Sequence, residues 1–287
     1  MTGAALVTHN SSADLPACLA SLPRDWPLVV VDNASTDGSA ALARERAPHA
    51  QVIENRENRG YGAALNQALE VLDSELVVLA NPDVVFGAGS LEAMVGFLEG
   101  HPQHALAGPD GSARGFPTVT LEACELFFGH RLWPDNPVHG RFFRTDLAGR
   151  DGDCDWVVGA CVVARRAALA GVGGFDEGYH LYFEETDLAW RLARAGWRCA
   201  QVGAARIAHA GGGSSRGREE ELARVYLQSQ QRFFRKKDGA PAAALLRAVQ
   251  VLGNRFRLVV RAGRELLVPV SIRRSRTTRA SARQPSE

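Results

Sequence analysis

The sequence predicts an α/β protein: a mostly parallel sheet flanked by helices, followed by a C-terminal helical extension. Two observations carry this. Short apolar runs alternate with helical patterns through the first hundred residues. Polar residues able to bind ligands close several of these runs, and ligands of such sheets bind beyond the carboxyl ends of the strands.

Ala4–Thr8, Leu28–Val31, Gln51–Glu54 and Leu76–Ala80 are short runs with apolar centres, the form of buried strands. Helical patterns lie between and after them. Leu15–Leu22 follows Ser11 and Ser12, and Ser39–Arg46 follows Ser35-Thr36-Asp37, residue types that cap helices. Tyr61–Leu72 and Ser90–Leu98 complete the set. From Pro109 to about Asp155, Gly, Pro, Asp and aromatics mix without a period, which reads as a long loop region. Order returns with a strand over Trp156–Ala164 and a helix over Thr186–Ala195. A glycine-rich turn at Gly211–Ser215 precedes helices over Glu219–Phe234 and Ala242–Val268, and the chain from about Ile272 reads as disordered.

With 46% hydrophobic and 23% charged residues, a chain of 287 residues can build a sizeable core without disulfides. Cys18, Cys124, Cys154, Cys161 and Cys199 show no CxxC spacing, which argues against structural zinc or a redox pair and fits a reducing cytosol. The N-terminus enters Ala4-Ala5-Leu6-Val7 without a basic region, so no signal peptide is expected, and no stretch is apolar enough to span a bilayer. A cytoplasmic protein is expected.

The net charge of +1 hides an asymmetry. From Arg232 onward there are fourteen Lys/Arg against three Asp/Glu, and before it 19 against 29. Such a basic tail suits an anionic surface. Leu245, Val249, Leu252, Phe256, Val259, Val260 and Leu267 share one helical face, with Arg247, Arg257, Arg261 and Arg264 opposite. A helix of this kind over 242–268 can lie peripherally on the inner face of an anionic membrane, or pack on the acidic body; the pattern fits both. No aromatic platform interleaves the arginines, so nucleic acid is not an expected partner.

The chemistry is expected at strand ends. Val7-Thr8-His9-Asn10 and Val31-Asp32-Asn33-Ala34-Ser35 close adjacent strands, and a carboxylate such as Asp32 can accept the imide N–H of uracil or thymine; equally, these residues cap helices. Asn58-Arg59-Gly60-Tyr61-Gly62, with Asn66, brings glycines that admit a ligand and an arginine that can meet phosphate, or is simply a loop before a helix. Asn81-Pro82-Asp83 places a carboxylate where a divalent cation can bridge it to a diphosphate, Mg²⁺ and Mn²⁺ both accepting few protein carboxylates. Glu184-Glu185-Thr186-Asp187 opens a helix, which the helix dipole favours, yet it follows the aromatic run Tyr179-His180-Leu181-Tyr182-Phe183. A carboxylate in such a walled pocket can act as general base toward a sugar hydroxyl. His209 can touch metal or phosphate, or be structural.

Together these segments resemble family 2 glycosyltransferases, in particular the rhamnosyltransferase-like branch. The resemblance runs in order from Val7 to Ser215 through Val7–Asn10, Val31–Ser39, Asn58–Gly62 with Asn66, and Asn81–Asp83, where the family carries its DxD-type motif. It continues through Gly159-Ala160, Gly173–Glu177 and Tyr182–Leu188, and ends on His209 with Gly212 and Ser214. It implies a GT-A fold, with a Rossmann-like, mostly parallel sheet. Residues 1–108 would form the nucleotide-sugar-binding half and 109–215 the acceptor-binding, catalytic half. Residues 216–271 would be C-terminal helices and 272–287 a basic tail.

The resemblance further implies an inverting, metal-dependent transfer from a nucleotide-sugar onto a hydroxyl acceptor in cell-surface glycan synthesis. The branch favours dTDP-rhamnose over a UDP-linked sugar, and the acceptor would be a glycan or lipid-linked. Thr8, Asn10, Asp32, Asn33, Ser35, Arg59, Gly60, Asn66 and Asn81 would hold the nucleotide. Asp83 and His209 would hold Mg²⁺ or Mn²⁺, and Glu185 would be the base, with Glu184 and Asp187 as alternatives. Two departures stand out: Asn81 replaces the first carboxylate of the DxD-type motif, and Glu184-Glu185 replaces the usual Glu-Asp pair. They leave room for a catalytically inactive nucleotide-sugar binder or scaffold of the same fold. A nucleotidyltransferase would bring a basic phosphate loop after the first strand, where Asn10-Ser11-Ser12-Ala13 stands instead.

Overall fold

The computed structural model describes residues 1–133, 136–209 and 218–267. The first half runs β1 (Thr2–Thr8), α1 (Leu15–Ala20), β2 (Leu28–Asp32), α2 (Ser39–Arg46), β3 (Gln51–Glu54), α3 (Tyr61–Val71), β4 (Leu76–Ala80), β5 (Val84–Phe86), α4 (Ser90–Gly100) and β6 (His104–Pro109). Then come β7 (Ala113–Arg114), α5 (Val119–Leu126), α6 (Gly129–Leu132), α7 (Pro137–Phe143), β8 (Gly152–Cys154), β9 (Trp156–Val157) and β10 (Cys161–Arg165). The chain closes with α8 (Arg166–Gly171), α9 (Glu184–Arg194), β11 (Arg198–Val202), β12 (Ile207–His209) and a long helical run α10 (Glu219–Leu267).

Eight strands form the central sheet in the order β3-β2-β1-β4-β10-β6-β11-β8. The β3, β2, β1 and β4 strands are mutually parallel, and β10 enters antiparallel to both β4 and β6. The chain moves outward from β1 in both directions, to β2 on one side and β4 on the other. That divergence opens a crevice at the strands' carboxyl ends. In register, Thr8 faces Asp32 and Leu6 faces Ala80, so the ends of β1, β2 and β4 are neighbours.

The alternation of β1 explains the layers. Ala4 and Leu6 pack with Leu15, Ala43, Met94 and Leu98 from α1, α2 and α4. Ala5 and Val7 point to the other face, against Leu65 and Ala68 of α3 and Leu188 and Leu192 of α9. Each fully buried leucine removes about 1.5–3 kcal/mol worth of apolar surface from water, so both helical layers are held by the strands they cover.

Two expectations are corrected, and the two C-terminal helices stand as expected. The region from Pro109 to Asp155 is no plain loop: it holds β7, α5, α6, α7 and β8. These elements are too short for a period to show, and side-chain caps support two of the helices. Thr118 Oγ1 accepts from Leu121 N (3.1 Å), and Asn136 Oδ1 accepts from His139 N (2.8 Å). The single strand expected over Trp156–Ala164 is two, β9 and β10, interrupted at Val158–Ala160 as the chain crosses from the small β7–β9 pair into the main sheet. The C-terminal helices turn at Gly239, whose φ of 89° suits glycine, with Pro241 just beyond.

The two arms of α10 then lie side by side, Gln231 Nε2 donating to Gln250 Oε1 (3.2 Å). Phe233, Phe234, Ala243 and Leu246 bury themselves with Tyr179 and Phe183. Of the two fates expected for the amphipathic helix, packing on the body is therefore seen, but not through the apolar stripe. The packing face carries Leu246, Gln250 and Gly253, while Leu245, Leu252 and Phe256 stay exposed. The turn at Gly211–Ser215, the side chains of Val259, Arg261, Arg264 and Leu267, and the tail 272–287 lie outside the described residues.

Candidate active site

At the crevice, backbone and short polar side chains knit the strand ends together. Asn33, buried, receives Asn55 Nδ2 (2.9 Å) and Arg59 N (3.3 Å) on its Oδ1 and donates through Nδ2 to Gly60 O (3.0 Å). Asn33 N donates to Thr8 O (2.8 Å), and a hydrogen bond joins His9 Nδ1 to Asn33 O (2.8 Å). Both oxygens of the buried Asp32 accept from Ser35 N (3.2 and 3.1 Å). Asn10, at a φ of 53° that asparagine tolerates, takes Thr36 N on its Oδ1 (2.8 Å) and donates its own N–H to Ser35 Oγ (2.9 Å). Thr8 Oγ1 is buried without a hydrogen-bond partner among the described residues. Such a group is costly, and a ligand atom would satisfy it.

Gly60 has a φ of 89°, and a Cβ there would come within 2.5 Å of His180 O. Only glycine lets this loop meet the 180s segment, where Tyr61 N donates to His180 O (3.1 Å). The result is a cavity of about 320 Å³ walled by His9, Asn33, Gly60, Tyr61, Asn81, Asp83, His180, Tyr182, His209 and Arg218, among others.

On its floor, the antiparallel pair β5–β12 sets His209 opposite Val84, next to Asp83. Asp83 Oδ1 and His209 Nε2 lie 3.2 Å apart, both only partly exposed. No group of three or more His, Cys, Asp or Glu converges on one point among the described residues. A carboxylate oxygen with an imidazole nitrogen is a fitting partial donor set for Mn²⁺ or Mg²⁺, to be completed by diphosphate oxygens.

The acidic pair sits behind Tyr61. Tyr182 and Phe183 both adopt φ 67° immediately before α9. Two successive left-handed L-residues cost roughly 1–2 kcal/mol each. The surroundings hold them there: Ser229 Oγ donates to Leu181 O (2.8 Å), and Tyr226 packs edge-on against both rings. The strained turn delivers Glu184 and Glu185 into the interior. A Cβ on Gly159 would lie 3.2 Å from Glu185, so that glycine makes its room. Glu184 Oε2 and Glu185 Oε2 are buried without a hydrogen-bond partner among the described residues. Burial pushes Glu184 well above the ordinary carboxylate range, and the neighbouring Glu185 charge adds to it. Burial raises Glu185 too, against main-chain hydrogen bonds that hold it down.

Glu185 opens into a second cavity of about 320 Å³, walled by Thr118, Glu122, Phe142, Phe143, Trp156, Tyr182, Tyr226 and Gln230, among others. Tyr182 belongs to both cavities, and Tyr61 lies at the first beside the acidic pair. Burial first, then the charges of Glu184, Glu185 and Asp83 among others, raise the Tyr61 hydroxyl. Asp83 and Glu185 thus occupy adjoining cavities with tyrosines between them.

The glycosyl transferase family 2 profile matches residues 4–154 of this sequence. A curated relative in Mycobacterium tuberculosis, N-acetylglucosaminyl-diphospho-decaprenol L-rhamnosyltransferase, is 33% identical over 227 residues, 71% of this chain and 74% of the relative. The chain belongs to glycosyl transferase family 2. A pre-mycofactocin glycosyltransferase of the same organism is 30% identical over 70% of this chain and 41% of its own length. Among solved structures, the mannosyltransferase PcManGT from Pyrobaculum calidifontis in complex with GDP-Man and Mn²⁺ aligns with a TM-score of 0.58 at 19% identity, over 98% of this chain and 79% of that one. GalNAc-T7 with UDP, GalNAc and Mn²⁺ aligns at 0.56 and 13% identity, over 73% and 43%. At such identities these neighbours speak to the fold, which is GT-A-like.

In this glycosyltransferase the residues expected at the site separate into groups. Asn33, Gly60, Asn81, Asp83 and His209 line the first cavity, with Thr8, Asn10, Asp32 and Ser35 bonded in or beneath its rim. Arg59 turns aside to Glu177 (3.5 Å), both half-exposed. Asn66 instead fastens the loop before α9, accepting from Phe175 N (2.9 Å) and donating to Phe175 O (3.0 Å). Asp187 is fully buried on the far side of α9, bound to Arg191 Nε (2.7 Å) and Lys236 Nζ (2.7 Å). Its carboxylate is paired there, which leaves Glu185 as the acidic residue of this segment that lines a cavity. Tyr61 and Tyr182 were read only as members of the runs Asn58–Gly62 and Tyr179–Phe183, without a role of their own, and Arg218 was not singled out from the sequence. For Tyr61 a signal existed, an aromatic directly after the constrained Gly60; Arg218 arrives from a distant helix start and had none.

Proposed function

We propose that this glycosyltransferase transfers a sugar, with rhamnose from dTDP-rhamnose favoured, to a hydroxyl of a lipid-linked glycan acceptor, with inversion at the anomeric carbon. The observation that carries the reading is the pair of cavities meeting at Tyr182, one holding Asp83 with His209 and the other Glu185 with its unpartnered Oε2. The mycobacterial relative's name, a rhamnosyltransferase acting on a lipid diphosphate, supports the donor sugar and acceptor class. The Mn²⁺ of the two structural neighbours supports a divalent cation at Asp83 and His209.

The donor nucleotide lies against the ends of β1 and β2, with Asp32 and Thr8 Oγ1 beneath it. Asn81, Asp83, His209 and Arg218 face its diphosphate. Asp83 and His209 would hold a divalent cation, which would supply positive charge to the leaving phosphate. On the other side, Glu185 takes the proton of the acceptor hydroxyl. That oxygen forms its bond to the anomeric carbon as the bond to the nucleoside diphosphate breaks on the opposite face. Tyr182 and Tyr61 keep water from the reacting centre. Residues 1–108 supply most of the donor side and 109–215 most of the acceptor side, with work done at the cytoplasmic face of a membrane.

Thermal shift against a panel of nucleotide sugars with Mn²⁺ tests the donor side, because a specific ligand stabilises the folded state by mass action. The expected result is a shift with dTDP-rhamnose that needs Mn²⁺ and is lost in Asp83→Asn. A metal-independent shift of equal size in that variant would remove the cation from the scheme.

A further inference from the structure

The second arm of α10 is pinned to the body through one face only. A Cβ on Gly253 would come within 2.6 Å of Leu126 in α5, and Arg257 donates to the main-chain oxygens of Leu126 (3.0 Å) and Glu125 (2.6 Å). About a quarter-turn away, Leu245, Leu252 and Phe256 form a row that is 57, 59 and 40% exposed. The row continues across the body. The Phe256 ring meets Phe127 at 5.3 Å, and the adjoining α6 ends in Leu132, 82% exposed. Single exposed leucines are ordinary, but a contiguous row of large side chains marks a docking surface.

Charge says what covers it. From Gly239 to Arg264 the sequence has five arginines and no Asp or Glu, and the residues from Arg232 onward carry a surplus of eleven positive charges. Arg255, exposed, flanks the row. Apolar side chains in a strongly basic setting match the acyl boundary and headgroups of an anionic bilayer. No helix among the described residues is long and apolar enough to cross a membrane, so the match is to a helix lying on one.

We propose that the exposed face of the second arm, with Phe127 and Leu132, docks on an anionic phospholipid surface and so opens the acceptor cavity at the membrane. The placement follows from α5, which belongs to both. Its Leu121 and Glu122 wall the cavity that holds Glu185, while Leu126 and Phe127 at its end meet the docked arm. Five residues of helix separate Glu122 from Phe127, about 7.5 Å of rise. An acceptor sugar carried on a lipid would reach Glu185 without leaving the interface. Only this consequence rests on the proposed lipid-linked acceptor; the docking itself does not.

Flotation of the full chain with phosphatidylcholine vesicles, with and without anionic phosphatidylglycerol, tests the docking, since a negative surface potential attracts basic segments. The expected result is flotation with the anionic vesicles only, reduced roughly tenfold or more in Leu252→Glu/Phe256→Glu and weakened in Arg255→Glu. The nucleotide-sugar thermal shift should stay at the parent value, as these side chains lie outside the donor cavity, and the melting temperature should fall by no more than a few degrees from loss of the Phe256–Phe127 ring contact. Flotation of the double variant equal to the parent, or no flotation of the parent, overturns the proposal. So does a parent that sediments as a dimer while the double variant is monomeric, since a second copy would then cover the face. A failed nucleotide-sugar shift with normal flotation would instead count against the glycosyl-transfer reading of the donor cavity alone.

Discussion

Glu184 and Glu185 make the sharpest prediction, because their cost to stability and their use in catalysis have the same origin. Both carry a buried, unpartnered Oε2, and both are raised by burial, the Glu185 charge adding to it at Glu184. A base works only when unprotonated, so turnover should climb along an acidic limb displaced above the usual glutamate value near 4.3. The limb belongs to the pair rather than to one residue. Glu185→Gln should lower kcat by about 10²- to 10⁴-fold, the usual worth of a positioned general base. Glu184→Gln should retain activity and keep a displaced limb, because burial, not the Glu184 charge, is what raises Glu185.

The stability sign follows. A carboxyl raised in the folded state gives stability that is fully present below its unfolded pKa and is lost as pH rises through the folded value. Above that window the protein carries the cost of two buried charges. Either glutamine variant should therefore melt higher than the parent at pH 8, with the difference vanishing at pH 4. Each unit by which the limb is displaced corresponds to about 1.4 kcal/mol, or a few degrees of melting temperature for a chain of this size. Initial rates at saturating donor from pH 5 to 9, and thermal melts of the three proteins at both ends, yield two readings of one quantity. A limb at the ordinary glutamate position, or glutamine variants that melt lower at pH 8, would refute the buried, unpaired state. Near-parent turnover in Glu185→Gln would move the base elsewhere.

Two further outcomes are expected. Gly60→Ala places a side chain at φ 89° and against His180 O, so it should lose at least about 1–3 kcal/mol from backbone strain alone; an unchanged urea midpoint would contradict the contact. Asp187→Asn leaves Arg191 and Lys236 facing a neutral group in a fully buried position and should cost about 3 kcal/mol, the lower end for a broken buried pair because Lys236 is partly exposed. Its residual activity at low temperature should stay near the parent's, as a purely structural ion pair's would; loss of kcat without loss of stability would return Asp187 to the chemistry.

Much of the donor half was legible. β1, β2 and β4 announce themselves as Val- and Leu-rich runs buried on both faces, and their polar ends stand where a diverging sheet must bind ligands. β6 and β11 went unread because His104-Ala-Leu-Ala-Gly-Pro and Arg198-Cys-Ala-Gln-Val have little β-branching, and their strand form comes from neighbours in the sheet rather than local preference. The helices α5 and α7 were hidden by brevity. At the site, residue type showed that Asp187 belonged to an acidic cluster, but which way it points depends on Lys236, 49 positions later. The left-handed pair Tyr182–Phe183 has no sequence mark at all. Neither residue favours that conformation, and only the packing of Tyr226 and Phe233 and the Ser229 hydrogen bond to Leu181 O hold it.

β10, the antiparallel strand inside the sheet (β8 at the edge is the other), explains how the two cavities come to adjoin. Parallel strands present their carboxyl ends to the crevice, so β4 delivers Asn81 and Asp83 as it leaves the sheet. β10 runs the opposite way beside it, with Cys161 opposite Ala80, and therefore presents its beginning to the same edge. The residues just before it, Gly159 and Ala160, are thereby fixed there. Ala160 O accepts from Asn81 N (2.8 Å), and Gly159 O accepts from the Tyr61 hydroxyl (3.2 Å). Gly159 is also the residue that clears space for Glu185. A parallel strand at that place would begin at the far edge of the sheet, and the segment against which the acidic pair packs would lie a strand's length away. The antiparallel course of β10 is thus what sets Glu185, the base proposed here, beside the ends of β1, β2 and β4, where the donor is proposed to lie.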